Sequence, residues 1–312
     1  MNVSARCPFG VNQPPAFDGE TLLRLYAALD EMHKSCWARG FRILRIGLSS
    51  AWAVSFAAVR RLFGLLFFAV LPAGLSTVAL ASSHSPSGSK CTIAPKNAQT
   101  VCPHADLSGK NLANADLRNA NLAGADLTGA TLTGANLVTA NLSHAKLAGA
   151  HLDEANLSFA NLSGSTSTAA TFARSDMQGA SLSAAQMSRA NLNRVNLSGA
   201  NVVRANLTRA SLTNANLSGA NLAGANLTAA NLGTVNFVGS NLSRANLTRA
   251  SLVDATLSGT YLIGTNLSGA NLHGAAFLGA DLTRANLAGT RRGSNSWNGA
   301  TCPNGRKATS HC

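Results

Sequence analysis

From Ala105 to Gly289 the chain repeats one five-residue pattern of apolar and polar positions. An apolar residue, with one exception, stands at every fifth position from Leu107 to Leu287, and the register never breaks. This central residue is Leu in 30 of the 37 pentads, and the residue two places before it is Ala in 29 of them. The other central residues are Ser167, Phe172, Met177, Met187, Val202, Phe237 and Phe277. An internal repeat of this extent outweighs every other signal, so the fold prediction starts from it.

A period of five fits neither a helix, which needs apolar steps of three and four, nor a strand, which alternates. Here the apolar steps are two and then three. The two-residue step places Ala and Leu on the same side of an extended segment. The three-residue step needs a corner, for which the frequent Gly at the fifth position provides backbone freedom. A chain that turns this way every five residues winds into a coil, and only stacked coils can bury its apolar side.

These pentads resemble the pentapeptide-repeat family. Its signature A-[DN]-L-x-x appears, for example, as Ala115-Asp116-Leu117, Ala205-Asn206-Leu207 and Ala225-Asn226-Leu227. The resemblance covers residues 105–290 and implies an all-β fold, a right-handed quadrilateral β-helix of about nine coils with four pentapeptides in each. It does not imply a single function, because the family contains DNA-mimicking topoisomerase binders as well as members with no assigned role.

Residues 59–81 have the three parts of a secretory signal in order. Arg60-Arg61 is followed by an apolar stretch from Leu62 to Val78 and by the cleavage sequence Ala79-Leu80-Ala81. We expect this helical segment to direct export to the periplasm, the cell envelope or the outside of a bacterial cell, with Ser82 as the first mature residue. The alternative is an uncleaved membrane anchor, since about 18 apolar residues can span a bilayer.

Residues 1–58 form an N-terminal extension with two interpretations. They are a cytoplasmic or membrane-surface segment, or they are absent from the mature protein because translation starts at Val59. We favour the second interpretation, because a start at Val59 leaves an ordinary signal peptide.

Two pairs of cysteines flank the repeats. Cys91 and Cys102 lie in residues 82–104, which we interpret as a linker and N-terminal cap, and Cys302 and Cys312 lie in the C-terminal cap, residues 291–312. Cysteines paired at both ends of a repeat array suit an oxidising compartment. We predict the disulfides Cys91–Cys102 and Cys302–Cys312, each closing a loop worth about 2–3 kcal/mol. Trp297, in the inward register, is expected to close the C-terminal end of the helix.

Candidate catalytic and metal-binding groups are not found in the repeats. The cysteines lack the C-x₂₋₄-C spacing of a zinc site, and no Ser/His/Asp or Cys/His set converges. No glycine pair is followed by the Lys-Ser/Thr of a phosphate loop. The sequence therefore predicts a non-enzymatic protein without a metal or cofactor.

The charge favours an anionic partner. The chain carries 25 Lys and Arg against 12 Asp and Glu, for a net charge of +13. With 20 residues in a coil, two sets of arginines form columns on adjacent sides, and we predict that they bind an anionic glycan or lipid headgroups of the envelope. They are Arg204, Arg244 and Arg284 in one column and Arg189, Arg209 and Arg249 in the next. The alternative is an ordinary solvated run of charge.

A third column consists of glycines and is uncharged apart from the neighbouring Asp176. It contains Gly179, Gly199, Gly219, Gly239, Gly259 and Gly279. Two rods could pack here as a homodimer; alternatively, the glycines serve only the corners.

We therefore expect an exported binding or structural rod in the periplasm or envelope, with an envelope partner and no nucleic-acid partner. The alternative function is that of a cytosolic topoisomerase-binding DNA mimic, which requires an acidic face and no export signal.

Overall fold

The computed structural model describes Cys91, residues 100–310 and Cys312. All of them belong to the second of the two units into which the chain divides, Ser76–Cys312. The N-terminal extension and the signal or anchor segment predicted for residues 1–81 lie outside the described residues, as does most of the predicted linker. No helix in the described part of the chain has the length and apolar character needed to cross a bilayer.

The described residues form a four-sided β-helix. Its strands are single-residue bridges, and each bridged residue pairs in parallel with the residue 20 positions further along the chain. The bridges form four ladders, one for each side of the coil. Face A carries the ladder from Val101 to Thr301, face B from Asp106 to Asn286, face C from Asn111 to Arg291, and face D from Asp116 to Ser296. This 20-residue period confirms the quadrilateral β-helix.

The β-helix extends beyond residues 105–290 at both ends. Val101 pairs with Asn121 and Asp281 pairs with Thr301, so the predicted caps contribute to the ladders. The physical reason is that Cys102 and Cys302 occupy the same inward register as the leucines and are buried.

The core is a continuous column of the central residues and of the residues two places before them. From Leu117 to Leu282 every central residue is at most 2% exposed. Five hydroxyl residues replace the inner Ala between Ala105 and Gly289; Ser165 bonds to the Ser167 hydroxyl, and the other four donate to backbone carbonyl oxygens. Ser175 donates to Phe172, Ser240 and Thr260 to Phe237, and Thr265 to Leu242. No buried side-chain nitrogen or oxygen in the described residues lacks a hydrogen-bond partner. The repeat at Ser165–Ser167, with Ser at both inward positions, keeps the register with both side chains fully buried.

A tight turn forms each corner of the coil. In the pentad of Leu127, the Ala130 N–H donates to the carbonyl oxygen of Leu127 at 3.0 Å, and the third residue of the turn, Gly129, has φ +63°. Positive φ at this residue is what a type II turn requires. The equivalent residue, two places after the central one, has positive φ at every fifth position from His104 to Gly289. We call it the corner position.

Backbone hydrogen bonding explains why Asn or Asp so often precedes Leu. Four of the five N–H groups in a pentad bond to backbone oxygens, three of them across coils and one within the turn. The fifth N–H, just after the central residue, bonds to the side chain at the bridged position. Every Asn or Asp bridged between 106 and 286 accepts this bond, at 3.0–3.4 Å. The Asn before each Leu is therefore a turn cap, of the Asx type.

Disulfides and aromatic stacking close the ends. Cys91 is bonded to Cys102, and Cys302 to Cys312. At the C-terminus, Trp297 is buried and stacks on Phe277, with ring centroids 4.2 Å apart. The chain then turns back, with an antiparallel bridge between Thr301 and Lys307. Arg292 lies over the Trp297 ring and donates to the carbonyl oxygen of Cys312 at 2.7 Å. These contacts cover the open end of the last coil.

The capping role of Asn predicts an asymmetry between two substitutions. Asn241 caps the Ser243 N–H at 3.0 Å on face A. Asn241→Ala should lower the free energy of unfolding by about 1 kcal/mol, since it removes this bond. Asn241→Asp should change it by much less, because Asp281 makes the same bond in the same ladder. Urea denaturation measures both, and equal losses would contradict the capping role.

The disulfide at the C-terminal end predicts a stability loss of its own. Replacing both Cys302 and Cys312 by Ser should lower the free energy of unfolding by about 2–3 kcal/mol, because the ten-residue loop is no longer closed. The measurement is thermal unfolding of the purified, oxidised protein, paired with mass mapping under non-reducing conditions. Free thiols at these positions, or a bond between the two ends of the rod, would overturn the pairing.

Candidate functional site

The arginines of the C-terminal half share one structural position. All eight arginines between Thr171 and Thr290 lie at the corner position, with φ of 56–60°. They are Arg174, Arg189, Arg194, Arg204, Arg209, Arg244, Arg249 and Arg284. A left-handed backbone costs an L-residue other than glycine about 1–2 kcal/mol. Glycine occupies the same position in 17 other pentads between Gly109 and Gly289, so the fold does not require arginine at this position.

The arginines follow three adjacent corners of the coil. Arg204, Arg244 and Arg284 lie at corner I, between faces A and B. Arg189, Arg209 and Arg249 lie at corner II, between faces B and C. The structure thus confirms the two columns expected from the sequence but places them on edges of the rod, on either side of face B. Arg174 and Arg194 lie at corner III, between faces C and D. The eight together form an oblique stripe, which we call the basic band.

The six arginines of corners I and II have no partner in the described part of the chain. Their side chains are exposed, and none of them forms an ion pair or donates to another side chain there. Only the methylene stems pack, as where Arg204 and Arg244 lie over Gly224 and Gly264 of the next coil. The guanidinium groups therefore project freely to solvent.

Face B presents amides between these two corners. Its ladder reads Gln186, Asn206, Asn226, Asn246, Asn266 and Asn286 along the C-terminal half. Each Asn turns its oxygen to the cap. The amide nitrogens are left to bridge neighbouring coils, as Asn286 does to Asn266 at 3.2 Å, or to face solvent. A strip of hydrogen-bond donors thus runs between two rows of arginines.

Acidic groups of the N-terminal half are engaged within the protein. Asp116 pairs with Arg118 at 2.7 Å, Asp126 with Lys146 at 3.3 Å, and Glu154 with Arg174 at 3.1 Å. Hydrogen bonds from the Ser108 hydroxyl and N–H hold the pKa of Asp106 below its ordinary value. The Thr128 hydroxyl does the same for the pKa of Asp126. Ion pairs or hydrogen bonds within the protein therefore engage all four of these carboxylates.

The glycine column lies at corner IV, between faces D and A, diagonally opposite corner II. Each of its glycines has positive φ, 63–66° from Gly179 to Gly279, so the corner alone is a sufficient reason for them. At Gly179 a Cβ would also lie 2.6 Å from the exposed Phe159 ring, which would have to move to admit it. Three exposed apolar side chains flank the upper part of the column: Val238 and Leu278, each one residue before one of its glycines, and Tyr261 on face A. The exposed Ile263 lies instead beside corner I, one residue before Gly264.

No group of three or more His, Cys, Asp or Glu side chains in the described residues is placed to hold a metal ion. His104 and His144 both lie at corner I, each over the glycine of the next coil.

Sequence reasoning missed two members of the basic band and the reason for the amide strip. Arg174 and Arg194 fall in a different column from the other six, so counting in steps of 20 separated them. The common signal was their place in the pentad, two residues after the central one. The abundance of Asn before Leu also indicated an Asx turn. In this turn the side-chain oxygen of Asn accepts a backbone hydrogen bond, and its side-chain nitrogen faces outward.

Comparison with known proteins identifies the repeats. The family model for pentapeptide repeats matches in eight copies between residues 104 and 289. No curated protein sequence matches the chain. Among solved structures, HetL from the cyanobacterium Nostoc sp. strain PCC 7120, a pentapeptide repeat protein involved in heterocyst differentiation regulation, is 35% identical. The match covers 64% of this chain and 92% of HetL, with a TM-score of 0.40.

Two further solved structures are similar in part. A trypsin-treated form of QnrB1, a plasmid-mediated fluoroquinolone resistance protein, is 16% identical over 61% of this chain and 90% of its own, with a TM-score of 0.33. A pentapeptide repeat protein of the Arabidopsis thaliana thylakoid lumen is 30% identical over 30% of this chain and 63% of its own, with a TM-score of 0.18. The family match spans more than half of the sequence, from residue 104 to residue 289. The chain therefore belongs to the pentapeptide-repeat family, whose members fold as right-handed quadrilateral β-helices.

Proposed function

We propose that this protein is an exported, non-enzymatic rod that binds an anionic polymer of the bacterial cell envelope along its basic band. The observation that carries the proposal is the set of unpaired arginines at left-handed corner positions. Each such arginine costs backbone free energy that glycine would not. A solvated charge run explains the charge but not its restriction to the most strained position of the repeat.

The spacing of the arginines suits an extended anion better than an isolated one. Neighbours at corner I are two coils apart, about 9–10 Å. This distance is close to the screening length of about 8 Å at physiological salt, so the guanidinium groups repel one another until an anion lies along them. Arg presents a planar set of donors that matches carboxylate, sulfate and phosphate groups. The amide strip of face B adds uncharged donors between the two rows.

Two features of the sequence and the structure support export. Residues 59–81 carry the order of a secretory signal. The cysteines are placed so that each pair can bond at one end of the rod. An oxidising compartment outside the cytoplasm keeps such bonds intact. We propose that cleavage leaves Ser82 as the first residue; retention of the segment would instead anchor the rod at the membrane surface.

Mimicry of DNA by a cytosolic topoisomerase binder is the alternative for this family. It requires rows of free carboxylates on one face. In the described residues, face B carries only Asp106 and Asp126 as stacked acids, and Asp126 is paired with Lys146. The charge of the rod is therefore of the wrong sign for this function.

Replacing four arginines of the basic band by glycine tests anion binding without disturbing the fold. We expect the quadruple variant Arg204→Gly, Arg209→Gly, Arg244→Gly and Arg249→Gly to elute from a sulfated-glycan column at much lower salt than the wild type. Its thermal unfolding temperature should be equal or higher, because glycine relieves the left-handed strain.

A matched control removes four charges elsewhere: Arg118→Gln, Lys146→Gln, Arg291→Gln and Arg306→Gln. This variant should elute close to the wild type. Arg292 and Lys307 are unsuitable for the control because both donate to backbone oxygens. If both variants lose retention equally, only net charge is recognised and the band is not a site.

We also propose that two rods pair laterally at corner IV. The glycine column makes this edge flat, and the exposed Val238 and Leu278 beside it and Tyr261 on face A give it apolar area. A chain of positive net charge can approach its copy with little repulsion only along an uncharged edge.

Pairing predicts a change of mass on substitution. Gly219→Arg together with Gly239→Arg should convert a dimer to a monomer in light scattering. The variant should fold, because arginine already adopts the same backbone at eight other corners. A wild type that is monomeric at micromolar concentration would remove the proposal.

A further inference from the structure

A groove of about 650 Å³ lies on face C and corner III, beside the lower end of the basic band. Its upper part is formed by Asn191, Asn193, Arg194, Asn214 and Asn231, and its lower part by Asp153, Glu154 and Arg174. Two neighbouring side chains in it, Glu154 and Arg174, form an ion pair at 3.1 Å. The groove thus has a donor-rich end and an end with carboxylates.

The oxygens of the four asparagines are all occupied by the fold. Asn191 and Asn231 cap backbone N–H groups at 3.2 Å. The Asn193 oxygen accepts from the Ser211 hydroxyl at 2.7 Å and from the Thr213 N–H at 3.0 Å. The Asn214 oxygen accepts from the Thr234 hydroxyl at 2.7 Å. Because a donor holds each oxygen, the amide orientations follow from the network.

The nitrogens of these four amides have no partner among the described residues. Neither does the guanidinium group of Arg194, which is exposed and stacked one coil above the paired Arg174. Each amide offers two N–H donors and Arg194 up to five. The upper part of the groove can therefore accept a group with several oxygens and a negative charge.

The lower part of the groove is suited to bind the hydroxyl groups of a ligand. Both oxygens of Asp153 are engaged, by the Thr171 hydroxyl at 2.6 Å and the Ala173 N–H at 2.9 Å. Glu154 uses one oxygen for Arg174 and is exposed, so its second oxygen can accept from a ligand. A second anion would be repelled here, whereas a hydroxyl would be accepted.

We infer that this groove binds one uronic acid residue, with its carboxylate at Arg194 and the asparagine amides and a hydroxyl at Glu154. The inference deepens and rests on the proposed function, since it names the sugar unit of the anionic polymer that the band would hold. The volume exceeds what a lone inorganic anion fills, and the mixture of donors and one acceptor fits a hydroxylated carboxylate.

Two substitutions remove the donors while preserving the fold. Asn193→Asp keeps the oxygen that accepts from Ser211 and Thr213, because Asp153, two coils below in the same column, makes the equivalent pair of bonds. Arg194→Gly keeps the left-handed corner. Asn241→Asp on the opposite face A is the matched control, with the same change of charge.

Calorimetric titration of the purified protein with free glucuronate tests the inference. We expect binding that weakens by about tenfold or more in Asn193→Asp and in Arg194→Gly, the loss associated with a charge-assisted hydrogen bond. Binding should stay within about twofold of wild type in Asn241→Asp. Glucose, which lacks the carboxylate, and sulfate, which lacks the hydroxyl groups, should both bind more weakly than glucuronate.

The outcomes separate this inference from the proposed function. The groove is not a binding site if glucuronate does not bind, or if Asn241→Asp weakens binding as much as Asn193→Asp does. Either result would hold even if the rod is still retained on the sulfated-glycan column through its basic band. Sulfate that binds as tightly as glucuronate overturns the uronic acid assignment. Glucuronate binding without any retention on polymer would leave the groove standing and overturn the polymer-binding rod.

Discussion

One backbone constraint governs this molecule: every fifth residue must adopt a left-handed conformation so that the coil can turn. Glycine meets the constraint without strain, and 17 of the 38 corners between His104 and Gly289 use it. The remaining corners hold other residues at positive φ, at a cost in backbone free energy. Two requirements therefore compete for the residue type at each corner. One is low backbone strain in the turn, and the other is the chemistry of the side chain exposed to solvent or to a partner. We attribute the arginines of the C-terminal half to the second requirement, the exposed side chain.

Inside the coil, packing of the core and hydrogen bonding of the turn do not compete, because different residues of the pentad provide them. Leu at the centre and Ala two places before it fill the axis, and the Asn between them caps the turn with its oxygen. The cap has a consequence for function, because an amide whose oxygen is bonded inward displays its nitrogen outward. A face of such pentads is a strip of donors, whichever ligand it meets. In this protein the strip of face B lies between two rows of guanidinium groups, and the upper part of the groove on face C combines the same donors with Arg194.

The fold could be predicted almost completely: the five-residue period indicated stacked coils that bury Leu and Ala, and the resemblance to the pentapeptide-repeat family implied four pentads in each coil. The column of Arg204, Arg244 and Arg284 followed from the period of 20. The ends were harder, since Cys102 and Cys302 were interpreted only as disulfide partners although they also fill inward positions. The groove could not be predicted, because it depends on side-chain oxygens of Asp153 and Asn193 that accept the turn N–H groups of Ala173 and Thr213 in the next coil. In those two pentads the bridged residues are Thr171 and Ser211, whose hydroxyls donate to the same two side chains.

The central claim is that the basic band and the faces beside it form the surface that holds an anionic glycan. The most direct measurement is the crystal structure of the purified protein with a uronic acid oligosaccharide bound. The account predicts sugar density along face B or C, with carboxylates at guanidinium groups of corners I, II or III and hydroxyl or carboxylate oxygens at the asparagine amides. Sugar bound at the C-terminal cap beside Arg291 and Arg306, or at the glycine edge of corner IV, would contradict it.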